Sequence, residues 1–156
     1  YDYKIYNEWL DENVFTIGFF GKTTNSLSGK DVKLSDRLYL PASKLRGFES
    51  GKVGPKDGAD YIGGNYAASI NVATSLSQIL PNSQNTTFSI FFDAANVWGI
   101  DYNSSLKDES KIRSSVGIAL DFFTPVGPLN FSLSEPITKG KNDITESFRF
   151  NLGTTF

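Results

Sequence analysis

The sequence from 146 to 156 reads ESFRFNLGTTF. Every second residue of this stretch is apolar or carries a methyl group: Phe148, Phe150, Leu152, Thr154 and Phe156. The residues between them are polar or Gly, and such a period of two is typical of a β-strand with one apolar and one polar face. At an open edge in water this strand would invite aggregation, whereas a strand that closes a barrel in lipid needs the pattern. The stretch therefore favours a transmembrane β-barrel.

The same alternation recurs about seven times along the chain, and helical spacing is convincing nowhere. The runs lie near 3–10, 15–19, 66–76, 88–95, 112–122, 129–134 and 146–156. The first run is the weakest and is compatible with either a strand or a turn. Several reach about ten residues, which is the length that a tilted strand needs to cross a bilayer. A soluble sandwich would show the same alternation with water on the polar side. On alternation alone, the sandwich and the membrane barrel both stay open.

Composition excludes several classes of function. The 156 residues have a net charge of -2 and include no His, Cys or Met. Without Cys there is neither a disulfide nor a thiolate metal site, and without His the commonest general base and metal ligand is missing. The small negative charge gives no electrostatic footprint for nucleic acid. We therefore expect no enzyme, no cofactor, no metal site and no nucleic-acid partner. We also expect loop carboxylates such as Asp57, Asp60 and Asp101 to be solvated.

The connections between the predicted strands are short at one end and long at the other. The link 125–128 is very short, whereas 25–64 and 100–110 are long and polar. This asymmetry is the pattern of outer-membrane barrels. Seven is an odd number of strands, and seven tilted strands would leave two open edges in lipid, where backbone groups have no partners. We therefore expect this chain to be part of a barrel whose other strands lie upstream of Tyr1.

One carboxylate is predicted on the inner face of a strand. Asp93 shares its parity with Phe91, and the opposite parity contains Ile90 and Phe92. A charge on the lipid face is destabilising near the midplane of the bilayer, so Asp93 is expected to face inward. Two further charges are predicted to line the interior: Arg113 and Asp121.

An ordered set of motifs, from about residue 13 onward, resembles a known family. The set begins with KLRGFE (44–49) and closes with FRFNLG (148–153) and Phe156. Between them lie GPKDG (54–58), GGN (63–65), FFD (91–93), VW (97–98), IR (112–113), GIAL (117–120) and TPVGPL (124–129). In this order the motifs make the chain resemble the carboxyl-terminal part of the barrel of BamA-type outer-membrane protein assembly factors, in the bacterial surface antigen superfamily.

The resemblance implies an all-β, antiparallel transmembrane barrel of sixteen strands that follows periplasmic repeat domains. Residues 1–156 would be the carboxyl-terminal portion of that barrel, with about its last seven strands. The long loop 42–64 would fold into the lumen and carry the motif residues Arg46, Gly47 and Phe48.

The resemblance also implies an anchor for this loop. In that family the motif Arg contacts acidic residues of the inner wall, and Asp93 matches one of them. A second wall position, usually acidic, is matched by Ala73 here. We therefore expect a single Arg46–Asp93 pair, whose bidentate geometry would fix the position of the loop. Its net contribution to stability need not be favourable.

A function follows from the same resemblance. In that family the final strand forms a weak seam with the first strand of the barrel, and a client strand adds to the opened seam by β-augmentation. The expected seam strand and terminal insertion signal comprise Phe148, Phe150, Leu152, Gly153 and Phe156. The implied partners are unfolded outer-membrane β-barrel proteins, outer-membrane lipid and, through upstream domains, accessory lipoproteins and periplasmic chaperones. The implied location is the bacterial outer membrane, which the chain would cross many times.

Two alternatives stay open at this point. A two-partner secretion translocator, which passes a polypeptide outward, shares the loop motif and the barrel. A soluble antiparallel β-sandwich that acts as a binding module shares the alternation. The translocator would differ in its upstream domains and in having a secreted neighbour. The sandwich would bury its apolar faces between two sheets.

Overall fold

A seven-stranded antiparallel sheet forms the body of the protein. The computed structural model describes residues 1–8, 13–27, 29–80, 85–101, 103, 105–106, 110–125 and 127–152. The strands are β1 Asp2–Glu8, β2 Val14–Thr23, β3 Gly47–Phe48, β4 Lys56–Asp57, β5 Asp60–Tyr61, β6 Tyr66–Ser75, β7 Thr86–Trp98, β8 Arg113–Thr124, β9 Gly127–Thr138, β10 Thr145–Glu146 and β11 Phe148–Leu152. Short 3-10 helices lie at Leu34–Asp36, Ala42–Lys44 and Ser77–Ile79. Over these residues, none of the helices combines the length and the hydropathy of a membrane-spanning helix.

The large sheet follows the order of the sequence. Its strands are arranged β1-β2-β6-β7-β8-β9-β11, and every neighbouring pair is antiparallel. Strands β6 to β9 contain 10 to 13 residues each, which is enough for a tilted strand to cross a bilayer. The prediction of an all-β antiparallel fold is confirmed, and the first run, the weakest in the sequence, is a strand.

One face of the sheet is apolar and exposed. The side chains on it are 40 to 55% exposed: Ile90, Phe92, Val116, Ile118, Leu133, Phe148 and Phe150. Within the described ranges no second sheet covers them, because the two-stranded sheets β3–β10 and β4–β5 are formed by the connections. The sandwich alternative is therefore wrong, since it requires these rings to be packed between two sheets. An uncovered apolar surface of this extent marks contact with lipid or with another protein.

The hydrophobic core lies on the opposite face, between the sheet and the connection 24–65. Apolar side chains of this connection pack against small side chains of β6 and β7: Leu38, Leu40, Leu45, Phe48 and Val53 on Ala67, Ala95 and Val97. Large residues in the connection thus meet small residues in the wall, as close packing requires. The connection 24–65, and not a second layer of strands, covers this part of the inner face.

The two ends of the sheet differ in the length of their connections. Only 125–126 separates β8 from β9, whereas 24–65, 99–112 and 139–144 join strands at the opposite end. At the short turn, the Thr124 hydroxyl donates a hydrogen bond to the Gly127 carbonyl at 2.7 Å. The core lies toward the end with the long connections, where the connection 24–65 enters and leaves the sheet.

Candidate functional site

Arg46 of the connection 24–65 is bound to Asp93 of β7. Its Nε donates to Asp93 Oδ2 and its Nη2 donates to Oδ1, both at 2.8 Å. Its backbone amide also donates to Oδ2, at 3.1 Å. The Asp93 side chain is 0% exposed and the Arg46 side chain is 8% exposed. The structure thus brings the two residues together in a buried bidentate pair, which fixes both the position and the orientation of the guanidinium.

Asp93 is the centre of a polar row across three strands. In the sheet register, Asn71 of β6 lies opposite Asp93 on one side and Ser115 of β8 lies opposite it on the other. The Asn71 side chain donates to Asp93 Oδ1 at 2.9 Å and to the Lys44 carbonyl at 3.0 Å. The Ser115 hydroxyl donates to the Arg46 carbonyl at 2.5 Å. The row therefore holds the backbone of the motif as well as its guanidinium.

The Arg46 guanidinium also lies on an aromatic ring. Its Cζ is 3.4 Å from the ring centroid of Phe91, which is buried. Gly117 of β8 makes room for this ring, because an added Cβ would lie 2.5 Å from Phe91 Cζ and 2.2 Å from the Leu133 carbonyl oxygen. A desolvated cation–π contact contributes about 2 kcal/mol. The guanidinium is thus held by a carboxylate at its edge and by a ring at its face.

The two residues after Arg46 fit the same wall. Gly47 has a φ of +87°, and an added Cβ would lie 3.1 Å from the Cβ of Ser115. Both the conformation and the space favour Gly at this position. Phe48 is 1% exposed and belongs to the hydrophobic core. Together they form β3, which pairs with β10.

A second buried ion pair binds the same connection. Arg113 of β8 donates from Nε to Asp143 Oδ2 at 2.8 Å and from Nη1 to Asn96 Oδ1 at 2.6 Å. Asp143 in turn accepts hydrogen bonds from the backbone amides of Gly54, at 3.2 Å, and Gly140, at 2.5 Å. Arg113 lies on the inner face, where its parity places it, and it reaches the connection 24–65 through Asp143.

Asp101, which we expected to be solvated, is bonded by several groups. Arg37 forms an ion pair with it, the Val32 amide donates to Oδ2 at 3.0 Å, and the Asn65 side chain donates to Oδ2 at 2.8 Å. Burial disfavours the charged form most strongly, yet the hydrogen bonds from Val32, Asn65 and Arg37 outweigh burial and lower the pKa of Asp101. Asp101 remains exposed to solvent, as expected, but the sequence did not predict that the connection 24–65 would bind its carboxylate.

A family model described as the Omp85 superfamily domain matches residues 1–156, the full length given. This chain is a member of the Omp85 superfamily.

Individual similar proteins agree with this membership. The chain is similar to the outer membrane protein assembly factor BamA of Neisseria meningitidis serogroup B, with 30% identity over 98% of the chain and 22% of the relative. It is 26% identical to the assembly factor BamA of Neorickettsia risticii, over 83% of the chain and 18% of the relative. It is 27% identical to the sorting assembly machinery 50 kDa subunit of Saccharomyces cerevisiae, over 95% of the chain and 33% of the relative. The chain thus spans a third or less of these relatives.

A solved structure has the same fold. The crystal structure of BamA from Haemophilus ducreyi lacking POTRA domains 1-3 superposes with a TM-score of 0.84 and 30% identity. The alignment covers 96% of this chain and 33% of that chain. The resemblance stated from the motifs is therefore confirmed: this Omp85 chain is similar to BamA, and its sheet has the fold of part of a BamA barrel.

The wall position matched to a second carboxylate has no charge in this Omp85 chain. Ala73 lies opposite Phe91 in the register, and Asn71 takes the place next to Asp93. In the part of the chain that the structure describes, Asp93 is the only carboxylate that forms an ion pair with Arg46. An amide therefore stands beside the anchor carboxylate, and its Nδ2 is a donor to Asp93.

An open cavity of about 440 Å³ borders the polar face of the sheet. Its lining includes Lys4, Thr16, Arg46, Asn71, Ala73 and Asp121. Asp121 lies on this inner face, as its parity predicts, and accepts a hydrogen bond from Asn130 Nδ2 at 2.6 Å. The Arg46 anchor thus lies at the border between the packed loop and this open space.

The last strand of this Omp85 chain shows the predicted alternation. Three of the five residues named for the seam are exposed on the apolar face: Phe148, Phe150 and Leu152. The other two, Gly153 and Phe156, lie outside the described residues. Arg149, between two of the exposed rings, is buried on the inner face.

Sequence reasoning missed three residues that hold the motif: Asn71, Ser115 and Arg149, whose Nη2 donates to the Phe48 carbonyl. Each has the inward parity of its strand, which was visible in the sequence. Small and polar residues fill that parity throughout, however, so parity alone does not single them out. Strand register and the path of the connection 24–65 select them, and neither can be derived from local periodicity.

Proposed function

We propose that this chain is the carboxyl-terminal part of an outer-membrane barrel that folds and inserts β-barrel proteins through a lateral seam. The relatives named above as assembly factors support an assembly role. The proposed seam involves β11, the last strand of the sheet. The barrel would reside in the bacterial outer membrane, with its apolar face in contact with lipid.

The uncovered apolar face is the observation on which the proposal depends. Side chains such as Phe92, Ile118 and Phe150 are 40 to 50% exposed, while part of the opposite face is packed against the connection 24–65. In water this arrangement would be unfavourable, because burial of apolar surface drives folding by about 25 cal/mol per Å². In hydrocarbon it is the expected arrangement for a barrel wall.

The proposed mechanism uses backbone hydrogen bonds and needs no catalytic group. β11 pairs with β9 from Phe148 to Leu152, and within the described residues no strand pairs with its other edge. In the assembled barrel this edge would meet the first strand, which lies outside this chain. When that contact opens, unpaired N–H and C=O groups can template a client strand. The cost of leaving them unpaired in lipid favours capture of the client.

The partners follow from this mechanism. The substrates are unfolded outer-membrane β-barrel proteins, which present a strand to the open edge. Accessory lipoproteins and periplasmic chaperones act through domains upstream of this chain. The motif residues Arg46, Gly47 and Phe48 hold the connection 24–65 against the wall of the sheet.

A disulfide lock on the full-length protein tests the seam. One cysteine replaces Asn151 in β11, and the other replaces the residue facing it in the first strand of the barrel. We expect the oxidised protein to lose client insertion and the reduced protein to recover it. A fully active locked protein would refute the seam.

A second lock serves as the control. Ile118 of β8 and Leu133 of β9 are directly opposite each other, and opposed residues of an antiparallel pair are about 4.5–5.5 Å apart, within reach of a disulfide. This lock ties two strands away from the seam, so client insertion should continue. The seam lock also separates an insertase from a two-partner secretion translocator. If the protein is a translocator, the seam lock should block export of a soluble polypeptide and leave insertion of β-barrel proteins unchanged.

A further inference from the structure

The segment before β11 leaves the large sheet and pairs with the loop motif. β10 is hydrogen-bonded to β3, with Thr145 opposite Phe48 and Glu146 opposite Gly47. The pairing continues beyond both strands, since the Glu49 amide donates to the Ile144 carbonyl at 2.9 Å. After Ser147 the chain enters β11 directly. The backbone of the motif is therefore paired with the residues that lead into the last strand.

Arg149 adds a side-chain connection between the same two parts. It is the second residue of β11 and is 7% exposed. Its Nη1 donates to the Ala42 carbonyl at 2.7 Å, and its Nη2 donates to the Phe48 carbonyl at 2.5 Å. Its Nε and Nη2 also donate to Glu146 Oε2, at 2.9 and 2.6 Å. One guanidinium of the last strand thus binds the loop on both sides of Arg46.

These contacts make the positions of β11 and of the loop interdependent. A guanidinium remains charged at any physiological pH, and a buried charge without partners is costly. If β11 moves away from β9, Arg149 loses its loop carbonyls and the loop loses the corresponding donors. The energetic coupling between two such positions is reciprocal, so release of the loop must also loosen β11.

We propose that Arg149 is a positioning residue that couples the Arg46-anchored loop to the last strand. The coupling itself concerns only contacts within this chain. Its consequence for client entry rests on the proposed function, because there β11 is the movable side of the seam. In that setting, a docked loop holds β11 in place, and undocking the loop favours an open seam.

Amide hydrogen exchange on the full-length protein in lipid nanodiscs tests the coupling. The variants are R149Q, R149K and, as a control for loss of a positive charge, K139Q at an exposed position after β9. We expect R149Q to speed exchange about tenfold in both 42–49 and 144–152, since hydrogen bonds to a charged group are lost. R149K should lie between, and K139Q should match the parent protein. Unchanged exchange in 42–49 for R149Q would overturn the proposal.

A double-mutant cycle separates coupling from simple damage to the strand. R46A should speed exchange in 144–152 when Arg149 is present and should have little further effect when R149Q is present. Equal effects of R46A in both backgrounds would overturn the proposal. Heat-modifiable migration on gels identifies the variants that form the barrel. If R149Q does not form the barrel, E146Q replaces it as a milder variant, because it weakens the hydrogen bonds of Arg149 to Glu146 and leaves Arg149 in place. If amide hydrogen exchange shows that 42–49 and 144–152 are coupled but the protein inserts no client, the role of Arg149 is supported and the proposed function is not.

Discussion

Arg46 and Asp93 are joined by three hydrogen bonds, and one of them comes from the backbone amide of the arginine. The carboxylate therefore fixes the local backbone as well as the guanidinium. A side-chain substitution at Arg46 removes two of these bonds and leaves the amide bond available. Removing the carboxylate removes the acceptor of all three, so substitutions at the two residues are expected to differ in severity.

Replacement of Arg46 by Ala should release the loop. Loss of one partner of a buried pair costs about 3–5 kcal/mol, and the Phe91 stacking contact is lost with it. We expect proteinase K to cut the connection 24–65 at least tenfold faster in full-length R46A, and client insertion to fall. R46K keeps the charge but not the bidentate fork, so it should be intermediate. K33A, at an exposed position of the same connection, is the control and should behave like the parent protein. Unchanged proteolysis in R46A would count against the anchor role.

Gly47 should be sensitive to a single added methyl group. Its φ of +87° is unfavourable for an L side chain, at a cost of about 1–2 kcal/mol, and the methyl group would press on Ser115 at 3.1 Å. Gly51 has a φ of +72° with nothing within 4 Å of an added Cβ, so G51A carries the backbone cost alone. We expect G47A to accelerate loop proteolysis more than G51A. Equal effects would mean that contact with the wall does not matter.

Gly117 should be sensitive for a different reason. An added Cβ would meet both the Phe91 ring and the Leu133 carbonyl, so G117A must displace the ring from Arg46 or spread β8 from β9. Overpacking of this kind costs about 1–3 kcal/mol. Gly18 of β2 is the matched control, since its nearest contact would be 3.6 Å. Urea unfolding of the barrel in lipid vesicles should show a lower midpoint for G117A than for G18A. The idea fails if the two midpoints agree.

A charge at Ile118 should block folding into a membrane. Ile118 lies in the middle of β8 on the exposed apolar face, where Lys costs roughly 2–4 kcal/mol in a bilayer. Leu34 is also an exposed apolar residue but lies in the connection 24–65. We expect I118K to reduce the heat-modifiable species in vesicles and L34K to leave it unchanged. Efficient folding of I118K would show that this face does not contact hydrocarbon.

Acid should loosen the part of the connection 24–65 that Asp101 binds, around Val32 and Arg37. The folded-state pKa of Asp101 is lowered, so its stabilising contribution is present above the unfolded pKa of about 3.9 and is lost as pH falls through the lower folded value. An environment-sensitive fluorophore on L34C, in an otherwise cysteine-free full-length protein, reports this change. The acid transition should disappear in D101N and persist in D36N, which removes an exposed carboxylate nearby. A transition that is unchanged in D101N would assign it to another group.

Local periodicity was sufficient to predict the sheet. Strands such as β8 and β9 alternate so regularly that their faces, and the seven strands of the large sheet, could be derived without knowledge of their neighbours. Their lengths could not, because the run predicted near 129–134 is the strand Gly127–Thr138. The inward direction of Asp93 followed from the same parity. The ends of strands were less certain, because the alternation continues at Ile112 although β8 begins at Arg113.

The partners of the loop were harder to derive from the sequence. The contacts of Asn71, Ser115 and Arg149 depend on how strands are aligned and on where an irregular connection of the chain runs, and both are set by distant residues. Asp101 shows the same limit, because its charge pattern indicates a solvated loop while Arg37 reaches it from far along the chain. The family motif identified Arg46, but the residues that support it follow only from register.

The packing of large loop side chains on a wall of Ala67, Ala95 and Val97 has a consequence for chimeric proteins. A loop transplanted from a homologue would place side chains of a different size against wall residues that pack closely on Leu45, Phe48 and Val53. Grafts that exchange 24–65 alone should therefore fit poorly, whereas grafts that also carry the facing halves of β6 and β7 should be tolerated. The interchangeable module is the loop together with its stretch of wall.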